Sequence, residues 1–416
     1  MSREFLRRHW PWIVLFVAAA AYYPRFMHPG GMELYRHAAE CVWTQQVLQV
    51  CDRAFTYPPA FAFVMLPFVA MPVWLAVPLW YLITLACTAW CLVLCKKLAL
   101  QLIPGPWKGN DLRWFHGISF LLSLKFILAV YEDQAYDLLV LPLTLWGLLA
   151  LVDRRNMAGA TSLAIAAALK VTPLIFLPYL LFKRRFAAAG VFVVVLLAVS
   201  FLPDLLFTPQ GGAHGYFVTW VHEVAAPGLF ENAAATKYAF WDTANPFNLS
   251  LRGMIALGID QTSYQPSFML ILRLVQVVFI AAVGILFLMA LGWEMIAVEG
   301  SLLIIAMLML SPMSGRGHFV QLMLPYCVLI AAWIKDRRTA WLGAAVLGVS
   351  FILCTGIPRD IVPRAYTEFM RMHSDIAWGT LVLIVYLAAI VWNPQRWGIA
   401  RVRPDAQPVA TASVTA

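Results

Sequence analysis

Charge is what this chain has little of: 12% of its 416 residues are Asp, Glu, Lys or Arg, while 62% are hydrophobic. Soluble domains carry roughly a quarter charged residues, so a water-soluble globular fold is excluded. Long polar stretches are lacking too, which leaves little room for a separate soluble domain. Cysteine is scarce, at 7 residues, and no Cys–His spacing along the chain follows a zinc pattern. No internal repeat and no paired interrupted helices are visible, so the repeat plan of many transporters finds no support. The net charge of +9 does not point to a nucleic-acid partner. The basic residues cluster between apolar runs, at Arg7-Arg8, Lys183-Arg184-Arg185, Lys335-Asp336-Arg337-Arg338 and Arg401 with Arg403. That is the positive-inside pattern of cytoplasmic loops, so the basic balance reports topology.

What is present is one apolar run after another. Thirteen read as membrane-spanning or membrane-buried: 10–26, 58–72, 75–95, 114–130, 135–152, 157–170, 171–182, 186–204, 266–292, 300–313, 318–334, 339–356 and 375–393. The N-terminal run lacks a small-residue cleavage site and reads as an uncleaved first helix. Several runs fall short of the roughly 20 residues of a full span, which predicts broken or re-entrant helices. Parity says the same. Basic clusters put both termini in the cytoplasm, which needs an even number of crossings, and Lys96-Lys97 counts to the wrong side. The expectation is an all-α polytopic protein of the inner membrane with roughly 10–13 membrane helices. A single transmembrane domain covers 1–393, and 394–416 reads as a disordered cytoplasmic tail. External stretches fall at 27–57, 205–265 and 357–373. With His318 at the rim they hold His28, His37, His214, His222 and His373, so polar chemistry is expected on the periplasmic face.

Within the first external stretch, Gly30-Gly31 permits a tight turn and MELYRHAAECVW a short helix, with Glu33 in its first turn. Glu33 there either complements the helix dipole or serves chemistry. Cys41 and Cys51 either close a disulfide or remain two free thiols. Cys87, Cys91 and Cys95 sit at one helical spacing in an oily run and read as core. Three polar patches break the apolar pattern at membrane depth: Glu132, Asp133, Gln134 and Asp137; Lys170; and Ser311, Ser314, Arg316 and His318. Ionisable groups at such depth mark a site or line a water-filled cavity, unless the patch is a loop at headgroup level. Lys170, with apolar neighbours on both sides, fits the loop account least. In 205–265, Phe217, Trp220, Phe230, Tyr238, Phe240 and Trp241 interleave with Lys237, Asp242, Asn245, Asn248 and Arg252. This is either an interfacial amphipathic segment or a lid over a sugar or lipid headgroup.

The order of these features resembles glycosyltransferase family 87, the integral-membrane glycosyltransferases of the GT-C superfold. Family members show an acidic residue in the first external loop, a Tyr-x-x-Ala-Ala stretch, and Phe-x-Tyr-Pro-Pro opening a helix. Here these are similar to Glu33, Tyr35 with Ala38-Ala39, and Phe55-Thr56-Tyr57-Pro58-Pro59. The Gly-Gln-x-Asn of the family resembles Asp133-Gln134 with Asp137, and its Lys-Pro-x-Pro-like segment resembles Lys170 to Pro173. Asn-Gln-Ser-Leu-Arg is similar to Asn248-Leu249-Ser250-Leu251-Arg252, and Ser-Pro-x-Ser-Trp-x-His-His to Ser311 through His318. The likeness runs in order from about 30 to 335. Three departures stand out: Glu33 for the usual aspartate, one histidine of the usual pair, and Gly315 for the Trp.

The resemblance implies a mannosyltransferase-like enzyme that moves a hexose or pentose from polyprenyl phosphate to a glycan or lipid hydroxyl, with inversion. Glu33 would be the general base, with Asp52 and Asp133 as its runners-up. His318 and Arg316 would face the leaving phosphate, and Lys170, Arg252, Asn248, Tyr57, Gln134 and Asp137 would bind donor or substrate. No Asp-x-Asp occurs, so neither a metal nor another cofactor is demanded. Two rivals are a lipid or sugar transporter and an inactive member of the family.

Overall fold

The computed structural model describes residues 13–14, 16–17, 20–27, 30–230, 245–258, 266–336, 340–355 and 363–401. Those residues form helices joined by short turns, with one isolated bridge between Trp293 and Arg401. Five helices are long and apolar enough to cross a bilayer: Val73–Leu102, Gly109–Glu132, Ser267–Met289, Arg316–Lys335 and Asp375–Trp392. Six shorter apolar ones accompany them: Asp137–Val152, Asn156–Leu169, Thr172–Phe182, Phe186–Ser200, Ile296–Leu310 and Ala340–Thr355. At 1.5 Å per residue, a helix of this shorter kind covers about 24 Å, less than the ~30 Å hydrocarbon core. Their packing explains how they persist. Helices Asp137–Val152 and Asn156–Leu169 form a hairpin crossing at Gly147 and Gly159, where a Cβ on Gly159 would lie 2.8 Å from the Gly147 carbonyl oxygen. Small residues at such a crossing let two backbones touch where lipid supplies no hydrophobic drive. Helix Pro266–Met289 takes the opposite role, exposing Leu270, Leu274, Val277 and Val278 on a lipid-like face.

The stretch 58–72 corrects the span count. It folds as two short helices, Pro59–Val64 and Leu66–Val69, followed by a bend into the helix at Val73. Pro58 is the N-cap and Pro59 opens the helix, where a missing N–H costs nothing. Pro67 then opens the second short helix. Both pack beside helix Gly31–Trp43, and Arg36 donates to the carbonyls of Phe68 (3.0 Å) and Met71 (2.8 Å). Apolar composition made this segment look like a span, but it is too short and too broken to be one. Without it the expected spans are even in number, and Lys96-Lys97 falls on the side of the other basic clusters.

Ion pairs divide the molecule into two ends. One end carries Arg154–Glu294 (2.6 Å), Lys183–Glu299 (2.6 Å), Lys335–Asp111 (2.9 Å) and Arg396–Asp336 (2.7 Å). The other carries Lys170–Asp137 (2.5 Å), His37–Asp52 (2.9 Å) and Arg316–Glu132 (2.7 Å). Glu299 was not singled out by sequence, yet it is fully buried and accepts from Tyr179 Oη (2.7 Å) and Lys183 Nζ (2.6 Å). The disorder expected from 394 onward does not hold for 394–401. Trp397 and Ile399 are buried there, and the Ala400 carbonyl accepts from the Glu294 N–H at 3.0 Å. Residues 402–416 lie outside the described residues.

Candidate functional site

Among the described residues, two of the cavities at the end that carries Lys170 and His37 are lined by the polar residues of the motifs. The smaller, about 260 Å³, is lined chiefly by Tyr57, Tyr136, Lys170, Trp220, Ser311 and His318. Each arrives from a break in a helix. Lys170 is the extended C-cap of helix Asn156–Leu169, between it and the 3₁₀ turn Thr172–Ile175. His318 lies in the 3₁₀ segment Arg316–Leu322, after the Ser311-Pro312 kink that ends helix Ile296–Leu310. Tyr57 immediately precedes the Pro58-Pro59 start. Trp220, from the large external segment, donates its indole N–H to the Thr56 carbonyl at 3.0 Å and so lies over the Tyr57 strand of chain. That contact gives the described part of the segment, helices Tyr216–Trp220 and Ala226–Phe230 with a π turn between them, the position of a roof.

Beneath the cavity, Asp137 Oδ1 accepts from Lys170 Nζ at 2.5 Å, and His318 Nε2 stands 4.0 Å from Asp137 Oδ2. The Asp137 side chain is 1% exposed and Lys170's 8%, whereas His318's is 25% exposed toward the cavity. Asp137 is the first residue of helix Asp137–Val152, so the helix N-terminus adds a second stabilising influence on its carboxylate. Lys170 also stands 5.3 Å from the Tyr136 ring centroid, a cation–π distance. Since Asp137 neutralises Lys170, an anion entering here meets hydrogen-bond donors more than net charge. Tyr57 is one such donor: burial, and then the charge of Asp137, push its phenol up to about 12. It therefore stays protonated at neutral pH. Its ring packs against Tyr35 (6.0 Å) and Tyr136 (4.8 Å).

The larger cavity, about 880 Å³, is lined by Glu33, Arg36, His37, Glu40, Asp52 and Gln134, with apolar residues between. Glu33 sits exposed in the first turn of helix Gly31–Trp43, and the next turn brings His37 and Glu40 to the same opening. At Gly30-Gly31 the chain turns into the helix, with the Gly30 carbonyl accepting from the Glu33 N–H at 3.0 Å. Gly30 is an extended N-cap, and Gly31 is small because a Cβ there would lie 2.7 Å from the Asp133 carbonyl oxygen. Asp52 is held twice, by His37 Nδ1 (2.9 Å) and by the Ala54 N–H (3.0 Å). Cys41 and Cys51 are joined as a disulfide with Cα atoms 6.0 Å apart, tying this helix to the next.

The expected site residues therefore divide. Lys170, Tyr57 and His318 line the smaller cavity, and Asp137 lies just below it. Glu33, Asp52 and Gln134 line the larger one. The wall between them is built from residues 52–57 and 134–137. Gln134 holds that wall: its Oε1 accepts from the Met32 N–H (3.0 Å) and its Nε2 donates to the Phe26 carbonyl (2.6 Å). Asn248 lines neither cavity. Its Oδ1 accepts from Ser250 Oγ (2.8 Å) and the Ser314 N–H (3.2 Å), while Nδ2 donates to the Pro312 carbonyl (2.9 Å). It clamps the external segment onto the Ser311–His318 kink. Arg252 is buried and donates to the Gly228 carbonyl at 3.1 Å. Arg316 is exposed and paired with Glu132, outside both linings. Asp133 is exposed on the turn between the two helices. Tyr136, which no sequence motif marked, and Tyr35 of the Tyr-x-x-Ala-Ala stretch supply much of the wall. His28, Lys237, Tyr238, Phe240, Trp241 and Asp242, and the Phe230 side chain, lie outside the described residues.

Residues 55–312 match glycosyltransferase family 87. A curated relative from Mycobacterium tuberculosis, the polyprenol-phosphate-mannose-dependent alpha-(1-2)-phosphatidylinositol pentamannoside mannosyltransferase, is 26% identical over 362 residues. That alignment covers 84% of this chain and 75% of the relative. No solved structure matches.

Proposed function

Because the chain belongs to glycosyltransferase family 87, we propose that it transfers a sugar, mannose-like or pentose, from polyprenyl phosphate to an acceptor hydroxyl on the periplasmic face of the inner membrane. The observation that carries this reading is the pair of adjoining cavities at one end, one apolar with Lys170 and His318, the other rich in carboxylates. A polyprenyl-phosphate donor needs an apolar approach ending in phosphate-binding donors, and a glycan or lipid acceptor needs room and a base. The mycobacterial relative's polyprenol-phosphate-mannose dependence supports the donor class.

In this reading the donor phosphate lies against His318, Tyr57 and Lys170. As the bond from the anomeric carbon to the phosphate oxygen breaks, its electron pair goes to the phosphate, and these donors stabilise the growing charge. The acceptor enters the larger cavity, and Glu33 takes its hydroxyl proton as the oxygen attacks the opposite face of the sugar, which inverts the anomeric centre. The two substrates meet at the wall of residues 52–57 and 134–137. Asn248 and Gln134 act as structural supports of that meeting point, because their amides are engaged by protein, and Arg252 and Arg316 support it from outside both linings. Both termini are cytoplasmic.

The test is transfer by purified protein from radiolabelled polyprenyl-phosphate sugars to membrane-derived acceptors. Transfer by the wild type, reduced about 10²–10⁴-fold in Glu33→Gln, is the expected result. Full activity in Glu33→Gln removes Glu33 as the base. Donor movement across proteoliposomes without transfer would favour the transporter reading instead.

A further inference from the structure

The fold gathers three zinc-type donors, His37, Cys41 and Cys51, with Asp52 beside the histidine. His37 and Cys41 are one turn apart on helix Gly31–Trp43, and Cys51 and Asp52 are consecutive at the end of the short helix Leu48–Cys51. A ligating atom of His37 and the sulfurs of Cys41 and Cys51 all lie within 4.8 Å of one another. Asp52 reaches the same histidine, with Oδ2 at 2.9 Å from Nδ1. One imidazole and two thiolates form a donor set that zinc accepts, with water in the fourth tetrahedral position.

We propose that this cluster is a redox-gated site for a zinc-class divalent cation, closed by the disulfide when oxidised and by the metal when reduced. In the oxidised form the two sulfurs are bonded to each other and no thiolate is available, so only the imidazole remains. A dithiol reductant supplies two electrons and two protons and leaves as its own disulfide, while the Cys41–Cys51 bond becomes two thiols. The cation then displaces both thiol protons to solvent and binds two thiolates with the neutral imidazole. Zn–S bonds of about 2.3 Å place the sulfurs about 3.8 Å apart. Their Cα atoms are already 6.0 Å apart, so side-chain rotation suffices. The half-exposed His37 ring, 52% accessible, leaves the cation a path from the larger cavity. Asp52, bonded to His37 Nδ1, holds the ring for coordination through Nε2, a role that needs its carboxylate. Either closure keeps helix Gly31–Trp43 tied to the chain entering the cavity wall. The inference stands apart from the glycosyl-transfer reading, since its readout is metal binding.

Cobalt(II) reports such a site through thiolate-to-metal absorption in the near ultraviolet. Full-length protein in detergent, reduced with a phosphine, is titrated with cobalt and then with competing zinc. One equivalent should bind to the reduced protein and none to the oxidised protein. The oxidised form is the internal control, because it carries the same five free cysteines, Cys87, Cys91, Cys95, Cys327 and Cys354. His37→Ala and Asp52→Asn, which retain the disulfide, should each weaken cobalt binding about 10–100-fold. Cys41→Ser should abolish the thiolate band. Absence of the band in reduced wild type, an equal band in the oxidised form, or unchanged affinity in His37→Ala would overturn the proposal. Elution as an unaltered single peak in size exclusion checks that each variant is folded.

Discussion

At the scale of single residues, the buried Lys170–Asp137 pair decides most. Leaving one charge of such a pair without its partner costs about 3–5 kcal/mol. Lys170→Met should therefore lower the thermal stability of the purified protein strongly, and Lys170→Met with Asp137→Leu should recover most of that loss. Transfer activity should stay low in both, because the ammonium that faces the cavity is missing from each. Recovery of activity with stability would show that Lys170 only offsets Asp137. Asn248 makes the opposite case. With its amide engaged by Ser250, Ser314 and Pro312, Asn248→Ala should destabilise by about 1–3 kcal/mol while leaving the KM for donor near the wild-type value. A raised KM with unchanged stability would return Asn248 to the list of donor ligands. Lys170 and His318 were legible in sequence because a polar residue in an oily run stands out against its neighbours. Tyr136 and Glu299 were not. Tyr136 sits beside acidic residues that draw the eye first, and Glu299 sits where a loop was expected to end, so only its partners Tyr179 and Lys183 reveal it.

At the scale of elements, breaks matter more than helices. The site residues come from a C-cap, a 3₁₀ turn, a proline start and a kink, each a place where backbone leaves the helical ladder. Such backbone is tolerated at membrane depth only where protein or a cavity satisfies it. The Pro58-Pro59 start illustrates how much a local motif can say: proline at the first helical position, with Tyr57 just before it, was readable from sequence alone. What the motif opened was not, since Pro59–Val64 and Leu66–Val69 are too short to span. Glu299 pins helix Ile296–Leu310 to Phe176–Phe182, away from the site. Glu299→Leu should leave Lys183 without its partner and reduce thermal stability, with transfer per folded molecule unchanged. Loss of transfer at full stability would contradict that purely structural role.

At the scale of the whole molecule, the withdrawal of 58–72 from the spans gives one consistent topology. In the proposed orientation Lys97 and the other basic clusters then share the cytoplasmic side, and Glu132, Glu33 and His318 share the periplasmic side. Lys97 and Glu132 are both exposed, at opposite ends of adjacent helices. In a Cys-free background checked for folding, Glu132→Cys should react with an impermeant maleimide in intact cells, and Lys97→Cys only after permeabilisation. Labelling of both from outside would restore 58–72 as a crossing.

Composition and periodicity determined that this protein is helical and lives in a membrane, because a bilayer forces apolar runs that any window can count. The order of short polar motifs determined its family, since each motif marks a helix end and the ends recur in sequence order. Only the tertiary structure decided which ends meet. It put Glu33 and His318 in separate cavities with one wall between them. It engaged the amides of Gln134 and Asn248, paired Arg316 with Glu132, and brought His37 to Cys41 and Cys51. The physical reason is that a side chain's role follows from what satisfies its polar atoms, and those partners lie up to 229 residues away along the chain.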